Sequence, residues 1–200
     1  MSSREKILAA VKNNQPALQL LPELTTLAAI TYENKFLQFS AVLTTIGGTV
    51  VEIKNTNDII EYVKTNFSGN RNYITTLPQL QGFKTLDENL NPHTLENIEV
   101  AIINAQFGVA ENGSVWLTDD DIKIRALPFI CEHLAVVLQK NDLVNNMQEA
   151  YNLIGETQYD FGVFIAGPSK TADIEQSLVL GAHGPKTMTV FVIQQFITPQ

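Results

Sequence analysis

The chain opens on a helical pattern. Ser2 with Glu5 three residues later forms a capping box, and Ile7, Leu8 and Val11 follow at helical spacing, which predicts a helix over about 3–13. Residues 15–31 hold Pro16 and Pro22 and predict a connector. A second helix is predicted over 33–46, with Phe36, Leu37, Val42 and Leu43 on one face and Gly47-Gly48 as its stop, because glycine takes the left-handed cap without steric cost. The β-branched run 49–53 predicts a buried strand. Asn57 caps a short helix to about Asn66, and 72–76 gives the next strand. Residues 77–98 carry Pro78, Gly82 and Pro92 with little periodicity and predict an irregular segment.

The pattern tightens again at 100–105. Two short apolar runs, 107–110 and 114–117, flank Glu111-Asn112-Gly113, and Asn-Gly between such runs is a strong hairpin signal. Asp119-Asp120-Asp121 starts a helical or irregular stretch to about Ile130. A strand over 134–138, a helix from Asp142 to about Ile154, a buried strand over 161–166, a helix over 171–180 stopped by Gly181, and a strand over 187–193 complete the reading. Alternating strands and helices predict an α/β fold with a largely parallel sheet. One domain over 1–200 is expected, with 1–32 as an N-terminal helix and connector.

Composition narrows the function classes. Hydrophobic residues make up 44% of the 200, enough for a real core. Charged residues are only 17%, with 17 Asn and 13 Gln taking part of their share. The formal net charge is -8 and no stretch clusters Lys and Arg, so no nucleic-acid partner is expected. A single cysteine, Cys131, excludes an intrachain disulfide framework, and one thiolate cannot build a conventional iron–sulfur or cysteine-based zinc site. No cofactor and no metal are therefore expected in this chain. No apolar leader and no membrane-length run are visible, which predicts a cytoplasmic protein without a membrane span.

Three segments carry candidate chemistry. Gly167-Pro168-Ser169-Lys170-Thr171-Ala172-Asp173 follows a predicted strand and opens a predicted helix, a place where free N–H groups favour a phosphate or carboxylate. Gly167, Ser169, Lys170 and Thr171 are the candidate ligand-binding residues there. Alternatively, Ser169 or Thr171 simply caps the helix, with Asp173 suiting its dipole. In Gly181-Ala182-His183-Gly184-Pro185 two glycines leave the imidazole of His183 uncrowded, as acid, base or ligand or as an exposed turn residue. At the hairpin, Glu111 is a candidate base or nucleophile and Gly113 and Ser114 are further candidate ligand-binding residues, or the three are plain turn chemistry. The catalytic candidates are thus Glu111, Asp173 and His183. A ten-residue helix is about 15 Å long, so His183 is expected in a second sub-site, well apart from a first one where Ser169, Thr171 and Asp173 meet Glu111 at the strand ends. The three aspartates 119–121 show no EF-hand spacing and predict a solvated turn. Cys131 predicts a buried small hydrophobe, and Trp116 core or pocket wall.

The run Gly-Val-Ala-Glu-Asn-Gly-Ser-Val-Trp-Leu ending at Leu117, together with Gly167–Glu175 and Leu178-Val179-Leu180-Gly181-Ala182-His183-Gly184-Pro185, resembles the signature blocks of the LUD domain family, in its lactate-utilisation protein C branch. The resemblance covers roughly 104–193. Asn112 stands for the usual threonine, Trp116 for a smaller aliphatic, and Lys170 where arginine is common, which weakens bidentate anion binding. The resemblance implies a three-layer, mostly parallel α/β fold like the sugar-phosphate isomerase and coenzyme A transferase group (NagB/RpiA/CoA transferase-like). It also implies a role in oxidising L-lactate to pyruvate beside cysteine-rich iron–sulfur partner proteins, with this chain the cluster-free member. Two other functions stay open: a stand-alone enzyme or binding protein for a small anionic metabolite, and an interaction scaffold without catalysis. Whether the chain catalyses anything is left open.

Overall fold

A computed structural model describes residues 2–20, 29–67, 72–87, 90–171 and 179–194. Helix α1 spans Ser3–Asn13 with the Ser2–Glu5 capping box in place. No residue of α1 is buried, and Ile7, Leu8 and Val11 stay exposed. Helix α2, Lys35–Thr45, starts at Asn34, whose side chain accepts from the Leu37 N–H. It ends on a Schellman motif: Gly48 N–H donates to Leu43 C=O and Gly47 N–H to Thr44 C=O, with Gly47 at φ 93°. Strand β1 is Thr49–Ile53, and α3, Thr56–Asn66, is capped by Asn55 with Asp58. Strands β2 (Asn72–Thr75) and β3 (Lys84–Thr85) follow, and the described residues of the expected irregular stretch include β3 and one 3-10 turn, Pro92–Leu95.

The second half runs β4 (Ile98–Asn104), β5 (Phe107–Val109), β6 (Ser114–Thr118), α4 (Asp119–Ile122), α5 (Leu127–Ile130), β7 (His133–Gln139), β8 (Leu143–Val144), α6 (Met147–Ile154), β9 (Gly162–Ile165), β10 (Lys170–Thr171), β11 (Val179–Leu180) and β12 (Thr187–Ile193). Six strands form a wholly parallel sheet in the order β1-β12-β7-β4-β2-β3. Its central strands are apolar on both faces, as parallel strands covered on both sides must be. Ala101, Ile103, Leu134, Val136, Val190 and Val192 face one cluster with Phe39 and Leu43 of α2. Val100, Ile102, Ala135, Val137 and Phe191 face the other with Ile59 and Val63 of α3. Fully burying each of the larger of these side chains, the Val, Leu, Ile and Phe, contributes about 1.5–3 kcal/mol.

The fold is α/β with a mostly parallel sheet, as expected. Four details differ. First, the 107–118 hairpin and the strand over 161–166 do not join the main sheet. They build a second sheet, β8-β5-β6-β9, with β5–β6 and β6–β9 antiparallel and β5–β8 parallel. Its inner residues Val115 and Leu117 share the α2-side core, so α2 and this sheet together cover that face. Second, β1 and β9 were expected to be buried but are edge strands, only partly covered. Third, Lys170–Thr171 and Val179–Leu180 are paired antiparallel strands where a helix over 171–180 was predicted. β-branched Thr171 and Val179 suit a strand pair, and residues 172–178 lie outside the described residues. Helix α6 starts later than expected: Asn146 is its cap, because 140–142 forms a 3-10 turn.

Candidate functional site

The hairpin between β5 and β6 turns where the sequence places it. Gly113 sits at φ 69°, and a Cβ there would stand 3.0 Å from the Leu43 backbone nitrogen of α2. Asn112 Oδ1 accepts from the Ser114 N–H (3.0 Å) and hydroxyl (2.7 Å), which uses up Ser114 in the turn. The Glu111 carboxylate accepts from the Met147 N–H at 3.0 Å, at the start of α6. Around it, Asn145 is held by Glu149 and accepts from Tyr32 N–H, while Asn146 donates to Ile30 C=O. Glu111 is thus part of a polar knot that ties the 30–32 segment and the α6 N-terminus to the hairpin.

The 167–185 segment folds back on itself. Gly167, at φ 72°, brings the chain against the Ile46 carbonyl at the end of α2. Ser169 N–H donates to Pro185 C=O at 2.9 Å, and Gly181 N–H donates to Ser169 C=O at 3.1 Å. A Cβ on Gly184 would meet the Ser169 Cβ at 3.0 Å, so glycine is what lets the two turns touch. The expected separation of Ser169 from His183 is therefore overturned: the β10–β11 pairing returns the chain where a helix would have carried it away.

Gly167, Ser169, Lys170 and His183 line one cavity of about 320 Å³, walled by Pro128, Phe129 and the β9 residues Val163–Ile165. Ser169 is half-buried, while Lys170 and His183 are exposed at the rim. Two cationic or proton-carrying groups, a hydroxyl and an apolar wall can take a small anion with a hydrocarbon part. Thr171 is the next residue of β10. Glu111, Gly113 and Ser114 do not line this cavity. Gly113 and Gly167 nevertheless brace the same last turn of α2, at Leu43 and Ile46. Asp173 lies outside the described residues.

A second cavity, about 470 Å³, lies past the carboxyl ends of β4 and β7, lined by Lys35, Gln106, Trp116, Thr118, Asp142 and Tyr159 among others. Trp116 is a pocket wall here, stacked on Phe107, tilted against Phe164 and met edge-on by Tyr159. Gln106 donates to Thr118 Oγ1 (2.8 Å), and Thr118 donates from both N–H and hydroxyl to Asp121 Oδ2 (2.9 Å each). Asp121 is therefore a half-buried capping group and not a solvated turn residue, and burial pushes its carboxyl above the ordinary value. Burial raises Asp142 as well. Burial likewise pushes the Cys131 thiol up to about 12, the inert core cysteine expected from its neighbours. Among the described residues, no group of three or more His, Cys, Asp or Glu could hold a metal ion, and no helix is long and apolar enough to cross a membrane.

The family model of the LUD domain matches residues 80–193, which contain both turns described above. A lactate utilization protein C from Bacillus pumilus (strain SAFR-032) is 33% identical over 119 residues, covering 54% of this chain and 50% of that protein. One from Geobacillus sp. (strain WCH70) is 34% identical over 105 residues, covering 49% and 43%. The chain spans about half the length of these relatives. The crystal structure of a DUF162 family protein from Deinococcus radiodurans superposes with a TM-score of 0.59 at 16% identity, over 80% of this chain and 96% of that one, a likeness of fold.

Proposed function

The chain belongs to the LUD domain family, and from that footing we propose that it serves lactate utilisation as the cluster-free component of an L-lactate to pyruvate oxidation system. The relatives' shared name supports the process. The observation that carries the site is the meeting of Ser169, Lys170 and His183 on one cavity within the matched region. Lys170 offers its ammonium to a carboxylate, Ser169 its hydroxyl to the neighbouring oxygen, and the apolar wall at Phe129 and Val163 takes the methyl end. Oxidation of L-lactate releases two electrons and two protons. One cysteine cannot hold a cluster to accept the electrons, so cysteine-rich iron–sulfur partners take them, and this chain binds substrate or docks those partners. The reading keeps the protein in the cytoplasm.

A stand-alone enzyme or binding protein for another small anionic metabolite is the second reading, favoured by the cavity's size, within the usual range for small-molecule sites. The interaction-scaffold reading is favoured by the uncovered apolar face of α1. The test is growth on L-lactate of the native host lacking this chain. Restoration by wild type but not by Lys170→Ala with His183→Ala supports the proposal, and equal restoration by both removes the site from it. Normal growth of the deletion strain removes the lactate role.

A further inference from the structure

A third cavity, about 470 Å³, opens at the amino ends of β2, β4, β7 and β12, on the far side of Gly184 from the Ser169–His183 site. Its described polar lining is acidic: Glu96, Glu99 and Glu132, with Asn72 and Asn97. Lys186 also lines it, but its ammonium is already paired with Glu132 at 2.5 Å. Glu99 is the unusual member. It is only 7% exposed, and its Oε2 is buried without a hydrogen-bond partner. Buried carboxylate oxygens are almost always satisfied, and an orphan calls for a cause.

The backbone shows that Glu99 is held there by a specific device. Asn72 pairs with Ile98 and Tyr73 with Val100, so β4 advances two residues where β2 advances one. Glu99 is the extra residue of a β-bulge, and Ile98 and Ala101, an odd number of positions apart, consequently share one core face. Without the bulge, the pleat would place a charged residue in register with the core strands. Bulges re-aim side chains, and this one sets a carboxylate in the wall of a polar cavity.

We propose that this cavity binds a small organic cation with N–H donors, a primary ammonium or guanidinium group, with Glu99 as its buried acceptor and Glu96 at the mouth. Such a donor would supply the hydrogen bond that Glu99 Oε2 lacks, and Asn72 and Asn97 offer further acceptors. An N–H cation is favoured over a metal ion because no three-ligand group is present among the described residues. The volume fits a small molecule.

The test is calorimetric titration of the whole chain with methylammonium and agmatine at fixed salt, with tetramethylammonium as a cation lacking N–H groups. The expected result is saturable one-to-one binding of at least one N–H cation and none of tetramethylammonium. Glu99→Gln should weaken that binding at least about ten-fold. The same variant, without ligand, should melt a few degrees higher than wild type, because a buried charge without a partner is removed. Glu96→Lys, at an exposed position that leaves the fold intact, should weaken binding similarly by placing a fixed cation at the mouth. No saturation by about 10 mM, equal binding by tetramethylammonium, or unchanged affinity in Glu96→Lys overturns the proposal. A ligand-free Glu99→Gln that folds but melts lower than wild type also overturns it, since Glu99 would then already have a partner.

Discussion

The two edges of the parallel sheet are built differently. Past the carboxyl ends of β4 and β7 lies an aromatic cavity where the lining residues Gln106 and Thr118 bond in a chain that runs on to Asp121. At the amino edge lie two cavities that share Gly184, one rimmed by Lys170 and His183, the other lined by Glu96, Glu99 and Glu132. Ligands of open parallel sheets usually bind at the carboxyl edge. Here the segment most marked in the sequence follows the carboxyl end of β9, but β9 belongs to the smaller sheet. Its loop reaches the amino edge of the larger one, where Ser169 bonds Pro185 just before β12. The carboxyl-end rule holds for open parallel sheets, and β9 pairs antiparallel with β6 in the smaller one.

The sharpest contrast available is chemical. Cys131, beside the acidic cavity, has its thiol raised from 9.0 to about 12 by burial. At pH 8 the folded protein should react with a thiol reagent roughly a thousand-fold more slowly than the denatured chain, which follows from three pKa units of thiolate fraction. Timed reaction with a chromogenic disulfide, with and without denaturant, measures this. Comparable rates would mean that the amino edge opens readily and that Cys131 is not the buried thiol described.

The next largest effect tests the brace beneath the amino edge. Gly113→Ala forces a side chain into φ 69° and against the α2 backbone at 3.0 Å, at a cost of roughly 2–3 kcal/mol. Urea unfolding should show that loss. A change within a few tenths of a kcal/mol would mean that α2 does not bear on the hairpin.

How much of this was legible follows from where the information sits. Local signals carried far: the capping box at Ser2, the Gly47-Gly48 stop, the hairpin at Asn112-Gly113 and the apolar run 187–193 all sit where residue chemistry alone puts them. Partner choice between strands is not local. The run 161–166 has the same pattern whether it joins the main sheet or pairs with β6, and only the packing against Leu117 and Val115 decides. The 171–180 stretch suited a helix by its caps, but at its described ends Thr171 pairs with Val179 and Gly181 N–H bonds Ser169 C=O, contacts that no local pattern announces. Glu99 was missed because the strand was started at Val100. A lone charge inside Ile98-Glu99-Val100-Ala101-Ile102 was the available signal.

A smaller effect separates the edges by ligand. L-lactate or pyruvate should bind at least about ten-fold more weakly to Lys170→Ala with His183→Ala, since charge-assisted contacts are removed. Trp116→Phe at the carboxyl edge should leave that affinity unchanged. Calorimetry on the three proteins decides, and a reversed pattern would move the anion site to the carboxyl edge.

The smallest expected effect is one of sign, and it comes from neutralising one carboxylate on each edge. Burial raises Asp142 above its ordinary 3.8, so the folded protein holds that proton more tightly than the unfolded chain does. Above the raised value the charged carboxylate therefore costs stability, and the cost is relieved as pH falls through that value toward 3.8. Asp142→Asn should thus stabilise the protein at pH 7 by a few tenths of a kcal/mol, and its gain should shrink on acidification. Glu132 has the opposite setting, since it accepts the Lys186 ammonium at 2.5 Å in a partly exposed pair. Glu132→Gln should destabilise by at most about 1 kcal/mol, screened further by salt. Paired urea titrations at pH 7 and pH 5 give both signs. If Asp142→Asn is destabilising, its carboxylate has a partner at the carboxyl edge, and the contrast between a desolvated acid there and a paired acid at the amino edge fails.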